Sequence, residues 1–366
     1  MPLVTEFKHL GLTWAEGRLK PKLDDHITSA RRTSYRLMGA GLHGGDGLDP
    51  AACNKLIDLY VSPRLLLGLE ASVLNRTDIA KLESYYRRLL RMIQSLPEST
   101  ANSAVYLLTG NIPLEGRWHQ RVLSLFGSIA RLGEHHPLYR LAARQLTFSK
   151  DERPYSWFTQ LETIASKYDI NIHEVLARPW SKEMWKYRIK HDIRDYWKIY
   201  LMKESQSRST LKWMIMDPSD GPHGVWKSCT ASPYLARAAA TRAKALCGRL
   251  CILEHSWRKS NLCPVCEKQD ETVTHFLLEC QELSKHRNDL YKLYHFYEEE
   301  GLQPPNTPYE ITSAIINGDR YCSSLGSSVV KLKLWCRDAH NLCSMFCHRL
   351  IKERDYIINA RLMMDE

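Results

Sequence analysis

Residues 75–97 read NRTDIAKLESYYRRLLRMIQSLP, and their apolar members Ile79, Leu82, Tyr86, Leu89 and Ile93 recur at three- and four-residue steps. That period belongs to one face of an α-helix. Thr77 or Asp78 suits the N-cap, and Pro97 ends the helix. Arg87, Arg88 and Arg91 fall away from the seam. The same period returns along most of the chain, with no convincing strand series and no internal repeat. Residues 24–40 predict a helix with Ile27, Ala30, Tyr35 and Leu37 on one stripe. The glycine-rich residues 39–50 break it, and without a Lys-Ser/Thr ending they read as a turn, not a phosphate-binding loop. Helix resumes after residue 50, interrupted near Pro63. Two more helices follow, with Ser99 as a cap and Pro113 opening the second. A helix over residues 181–205 turns Trp185, Ile189, Ile193, Tyr196 and Trp197 inward and its lysines and arginines outward. Further helices are predicted over residues 281–301 and 327–359. The expected fold is mainly α.

Composition excludes several classes. Of 366 residues, 44% are hydrophobic and 25% charged, the balance of a folded chain with a sizeable core. The N-terminus lacks the charged and apolar regions of a signal peptide. No apolar run reaches the ~18 residues of a membrane span. Eleven cysteines, an odd number, predict a reduced intracellular protein of the nucleus or cytoplasm. The net charge is +10, and residues 181–259 hold sixteen Lys or Arg against seven Asp or Glu, so that stretch alone carries +9. Such a balance fits a phosphate-bearing partner, or a set of solvated helix faces. No Ser/His/Asp triad or Cys/His nucleophile pair emerges from the scattered histidines.

The segment CPVCEKQDETVTHFLLEC places Cys263, Cys266, His275 and Cys280 at the spacing C-x2-C-x8-H-x4-C. Two cysteines two residues apart can hold one metal from a tight turn, and a His and a Cys supply the other corners of a tetrahedron. Three thiolates, one imidazole and no carboxylate favour Zn2+. A fully ligated ion leaves no position for water, so the site is expected to be structural. Closed zinc modules bind nucleic acid or protein. Arg258 and Lys259 before the segment, and Lys268, Lys285, His286 and Arg287 within or after it, favour phosphate contacts. Trp257 either stacks on a base or packs in the core. A second group, Cys336, His340, Cys343 and Cys347, lies along one predicted helix with its ends about 16 Å apart. It cannot surround one ion and reads as core.

The stretches HLGL (residues 9–12), ARRTSYRLMGAGLHGGDGLDP, YVSPRLLLGLEA, LESYYRRLLRMIQSLPESTANSAVYLLTGNIPLEGRWHQRVLSLFGSI and THFLLEC together resemble the downstream part of a non-LTR (LINE-type) retrotransposon reverse transcriptase. The resemblance covers nearly the whole chain and is most specific at residues 60–114 and 263–280. It implies a helical thumb and connection followed by a zinc knuckle. Residues 1–147 correspond to the thumb-like region, 148–230 to a basic connection, 231–300 to the zinc-knuckle module and 301–366 to C-terminal helices. The family's thumb helices track a template–primer duplex, which implies Arg87, Arg88 and Arg91 as candidate backbone contacts. Its knuckle helps bind RNA or target DNA and implies Cys263, Cys266, His275 and Cys280 as zinc ligands.

The departures matter as much. Polymerisation needs palm carboxylates that hold two metal ions, in an aromatic-x-Asp-Asp motif with apolar flanks. The only Asp-Asp here, Asp24-Asp25, lacks both and reads as the acidic start of a helix. The chain is expected to begin near the end of a palm, and so not to polymerise DNA alone. A palm-containing segment of the parent polymerase is an implied partner. No Pro-Asp dipeptide of the endonuclease pattern occurs. The expected role is nucleic-acid binding by a fragment of an RNA-directed DNA polymerase. The alternatives are a zinc-dependent protein-interaction module and a truncated remnant without function.

Overall fold

A computed structural model of the chain describes residues 5–9, 12–15, 18–19, 22–44, 47–152, 154–214, 221–250, 262–299, 303–318 and 329–363. The described residues are mainly helical, as the apolar periodicity predicts. In chain order the helices are α1 (Leu23–Met38), α2 (Pro50–Leu56), α3 (Ser62–Leu65), α4 (Arg76–Ile93), α5 (Asn102–Thr109), α6 (Leu114–Ala130), α7 (Pro137–Leu146) and α8 (Trp157–Ser166). Then follow α9 (Ile172–Ala177), α10 (Lys182–Gln206), α11 (Gly224–Ser228), α12 (Pro233–Leu246), α13 (Leu290–Glu299), α14 (Pro308–Ile316) and α15 (Val329–Leu362). Among the described residues no helix is long and apolar enough to cross a membrane.

A small antiparallel sheet is also present, which the periodicity did not predict. Strands β1 (Glu6–His9), β2 (Leu12–Ala15) and β3 (Arg18–Leu19) pair in that order. Phe7 lies opposite Trp14, with their rings stacked 6.4 Å apart. Strands of four residues or fewer are too short for alternation to stand out in the sequence.

The chain divides into two compact units, each assembled from separate stretches. The first comprises Met1–Leu37, Leu56–Arg87 and Ile112–Tyr200, and the second Met38–Lys55, Arg88–Asn111 and Leu201–Glu366.

In the first unit α1 buries Leu23, His26, Ile27, Ala30 and Ser34. Tyr35, predicted on that stripe, is instead 62% exposed. Ser34 takes the buried position because its hydroxyl is satisfied inside, by Ala30 O at 3.0 Å and Tyr85 Oη at 3.1 Å. Asp24 and Asp25 occupy the first turn of α1, and Asp24 pairs with Lys81 Nζ at 2.7 Å. Helix runs through Pro63 without a break. A π-helical turn over Ile57–Val61 precedes the proline, which sits at the start of α3 where no amide is needed. The N-cap of α4 is Asn75, not Thr77 or Asp78. Asn75 Oδ1 accepts from Asp78 N at 2.9 Å, and Asp78 Oδ2 accepts from Asn75 N at 3.1 Å, a reciprocal cap.

The same unit packs α10 onto α6. Gly116 and Gly127 leave room for indoles: a Cβ on Gly127 would stand 2.1 Å from Trp185 Nε1, and one on Gly116 2.5 Å from Trp197 Nε1. Trp185 donates to Leu123 O at 2.9 Å and Trp197 to Tyr168 Oη at 3.0 Å. Tyr168 Oη lies 2.6 Å from the buried His119 Nδ1. Glu83, also buried, accepts from Glu115 N at 3.1 Å, so a carboxylate of α4 caps the start of α6.

In the second unit α5 starts from Ala101 rather than Ser99. The buried amide of Gln94 donates to Leu90 O and Val105 O and accepts from Trp226 Nε1 at 3.0 Å. Arg242 of α12 is fully buried. It donates to Ile316 O at the end of α14 (2.9 Å) and to His340 O (3.1 Å), and its Nη1 lies 2.7 Å from His340 Nδ1. The C-terminus of α14 supplies the negative end of a helix dipole to this cation. Cys343 and Cys347 are buried on the same helix as His340, as a core reading of that cysteine stripe predicts. The helix predicted over residues 281–301 begins as 3-10 turns (Gln281–Asp289) and becomes α-helical only at α13.

Candidate metal centre

The loop that carries Cys263 and Cys266 is a tight hairpin. Leu262 and Asp270 form a bridge, Cys263 N donates to Gln269 O (2.7 Å) and Glu267 N to Cys263 O (2.7 Å). Glu267 takes the left-handed conformation, φ 56°, that closes the turn. His275 and Cys280 follow on a π-helical turn, His275–Glu279, in which Cys280 N bonds His275 O. In an α-helix, residues five apart point about 140° away from each other. The wider turn brings this pair to one side, which is how an x4 spacing can serve one ion.

The four ligand atoms lie within 4.8 Å of one another. Cys263 Sγ stands 3.9 Å from Cys280 Sγ, and Cys266 Sγ 3.4 Å from His275 Nε2. Tetrahedral zinc, with bonds near ~2.3 Å to sulfur and ~2.0 Å to nitrogen, separates its ligands by about 3.5–3.8 Å. The donor set and the spacing therefore fit a zinc ion. Among the described residues no other group of Cys, His, Asp and Glu converges in this way.

Protonation agrees with ligand roles. His275 Nδ1 faces Gln269 Oε1 at 2.8 Å, which assigns the Nδ1–H donor and leaves Nε2 free to ligate. Burial, opposed by Glu279 and helped by the cation of Arg287, holds its pKa below the usual value, so the imidazole is neutral. Burial raises the Cys263 thiol, and burial with the neighbouring thiols pushes Cys280 up to about 12. At Cys266 burial also acts upward, but the N–H groups of Lys268 and Gln269 outweigh it and lower the pKa. A bound dication inverts this balance and takes all three sulfurs as thiolates.

Several of the cations that the sequence singles out have partners of their own. Lys268 is exposed on the hairpin. Lys285 is exposed and pairs with Glu353 Oε1 at 2.6 Å, and His286 Nε2 lies 3.4 Å from the same carboxylate. Arg287 is half-buried and donates from Nε to Leu277 O at 2.9 Å. Arg88 is exposed on α4. Arg87 sits 4.0 Å from Glu83, and Arg91 donates to Thr100 O (2.9 Å) and Asn102 Oδ1 (2.6 Å). Arg258, Lys259 and Trp257 lie outside the described residues.

Three features around the centre carry no motif in the sequence: Gln269, which faces His275; the buried Glu271–Arg354 pair, which ties the knuckle to α15; and Arg361 of α15, which donates to Pro264 O and Val265 O. Gln269 and Glu271, inside the knuckle and six and four residues before the histidine, stood where a local signal could have found them; Arg354 and Arg361, on a distant helix, did not. No protein-family model, no curated protein and no solved structure matches the chain.

Proposed function

We propose that this chain is a nucleic-acid-binding module organised by a structural Zn2+. In this reading it resembles the C-terminal part of a non-LTR retrotransposon reverse transcriptase, whose parent activity is RNA-directed DNA polymerisation. The observation that carries the reading is the convergence of Cys263, Cys266, His275 and Cys280 within 4.8 Å, at the spacing of that family's knuckle. Basic charge supports it: Lys182, Lys186 and Lys190 are exposed on α10, and Arg88 on α4. In such a module the ion fixes the loop and takes no part in chemistry. A palm-containing segment of the parent polymerase is the natural protein partner.

The test is binding of zinc-loaded protein to labelled single-stranded RNA, single-stranded DNA and duplex DNA at two salt concentrations. The expected result is affinity that falls steeply with salt and weakens in a Cys263→Ser/Cys266→Ser variant. A folded, zinc-containing protein that binds none of the three overturns the reading.

One observation favours a second reading, a zinc-stabilised protein-interaction module. Lys285 and Arg287 are engaged by Glu353 and by Leu277 O, so part of the knuckle's basic border is already taken up internally. Association with protein that persists at high salt distinguishes it.

A further inference from the structure

The last turn of α15 reaches the hairpin between the first two cysteines. Arg361 Nη1 donates to Pro264 O at 2.8 Å, and its Nη2 donates to Val265 O at 2.8 Å. Nη1 also bonds Glu267 Oε1 at 2.7 Å, on the residue held in the left-handed conformation. These two carbonyls belong to the peptide units whose N–H groups are those of Val265 and Cys266. One guanidinium therefore grips both peptide planes of the turn that joins Cys263 to Cys266.

We propose that Arg361 is a positioning residue of the zinc centre, locking the Pro264–Val265 and Val265–Cys266 peptides that set the separation of Cys263 and Cys266. The inference rests on the reading that the four residues hold zinc. The fork geometry matters, because one planar group must satisfy two carbonyls at fixed separation. Helix α15 is pinned independently nearby, through Arg354 with Glu271 and through Glu353 with Lys285, so the guanidinium is presented by a rigid support. Without it the two peptides are free to tilt, and the first two ligands lose their fixed separation. Arg361 touches no ligand atom, so its effect passes entirely through the backbone.

The test compares the full-length wild type with Arg361→Ala, Arg361→Lys and Glu267→Gln. Zn2+ affinity is read by competition with a chromophoric chelator, Co2+ coordination by its visible absorption, and stability of the metal-free protein by circular dichroism. A wild type that takes up one tetrahedral Co2+ supports the centre; failure to do so overturns the site reading, whatever Arg361 does. Given the centre, Arg361→Ala is expected to weaken zinc binding by about 10- to 100-fold, the range for lost outer-sphere partners. The unfolding midpoint of its metal-free form should match the wild type. Arg361→Lys should recover only part of the affinity, and Glu267→Gln should lose less than Arg361→Ala, because the carbonyl bonds survive. An Arg361→Ala affinity within twofold of wild type overturns the proposal. So does a loss matched by an equal loss of metal-free stability, which would make Arg361 a general brace.

Discussion

Arg354 of α15 meets Glu271 in the core of the second unit, its Nε and Nη2 lying 2.9 and 2.8 Å from the same carboxylate oxygen. The side chains are 3% and 0% exposed, so neither charge has water to turn to. Removing one partner of such a pair leaves an uncompensated buried charge. Arg354→Met or Glu271→Gln should each destabilise the second unit by about 3–5 kcal/mol, whereas a double apolar replacement should recover most of that loss. Urea denaturation of the three variants checks it, and additive losses would show that the two residues act separately.

Metal removal separates the two cysteine groups. Chelation should lower the unfolding midpoint of the wild type, since metal free energy is folding free energy in a site of this kind. Cys280→Ser should abolish tight binding. Cys336→Ser should leave one equivalent bound, because Cys336 is not among the converging ligands. Metal content by atomic absorption after dialysis gives the answer directly.

The first unit should depend on pH through two buried groups of opposite sign. Burial, reinforced by the cation of Lys167, lowers His119 to about 3 from an ordinary 6.5. Glu115, 3.7 Å from His119 Nε2, offers little relief because Lys167 already binds it at 2.9 Å. Between those pH values the unfolded chain binds a proton that the fold refuses. His119 therefore costs stability as pH falls, by about 1.4 kcal/mol per pH unit. Burial raises Glu83 to about 7, although the amides of Glu115 and Leu114 and the cation of Arg87 oppose it. Its contribution is complete at low pH and is lost as pH rises from 4.5 through about 7. The two slopes partly cancel in the wild type. His119→Gln should leave a stability that falls with rising pH across that window, and Glu83→Gln one that rises. Denaturation midpoints between pH 4 and 8 would reveal both, and parallel profiles for the two variants would refute the assignment.

The arginines of α4 should part company under substitution. Arg88 is exposed, and Arg88→Ala should weaken nucleic-acid binding and reduce the salt slope by about one. Arg91 ties Thr100 and Asn102 to the end of the helix. Arg91→Ala should lower stability by about 1.5–3 kcal/mol. Salt titrations beside thermal melts distinguish the two effects.

The helices were legible because burial on them follows the sequence period: Leu82, Tyr86, Leu89 and Ile93 on α4, Trp185, Ile189, Ile193 and Trp197 on α10. Tyr35 misled because an apolar-only reading cannot see that Ser34 satisfies its hydroxyl within the fold. The four converging cysteine and histidine side chains were legible because their types and spacing are those a single ion would need. The partners of Lys285 and Arg287, and the bonds from Arg361, were not legible. They depend on which carbonyl or carboxylate arrives from a distant helix, and no spacing rule records that.

The separation between the hairpin and its brace also sets an order of events in time. Arg361 follows Pro264 by 97 residues. At translation rates of about 5–20 residues per second, the hairpin leaves the ribosome roughly 5–20 s before the guanidinium that steadies it. Zinc captured during synthesis would first meet an unbraced loop, and the ion would be secured only when α15 docks.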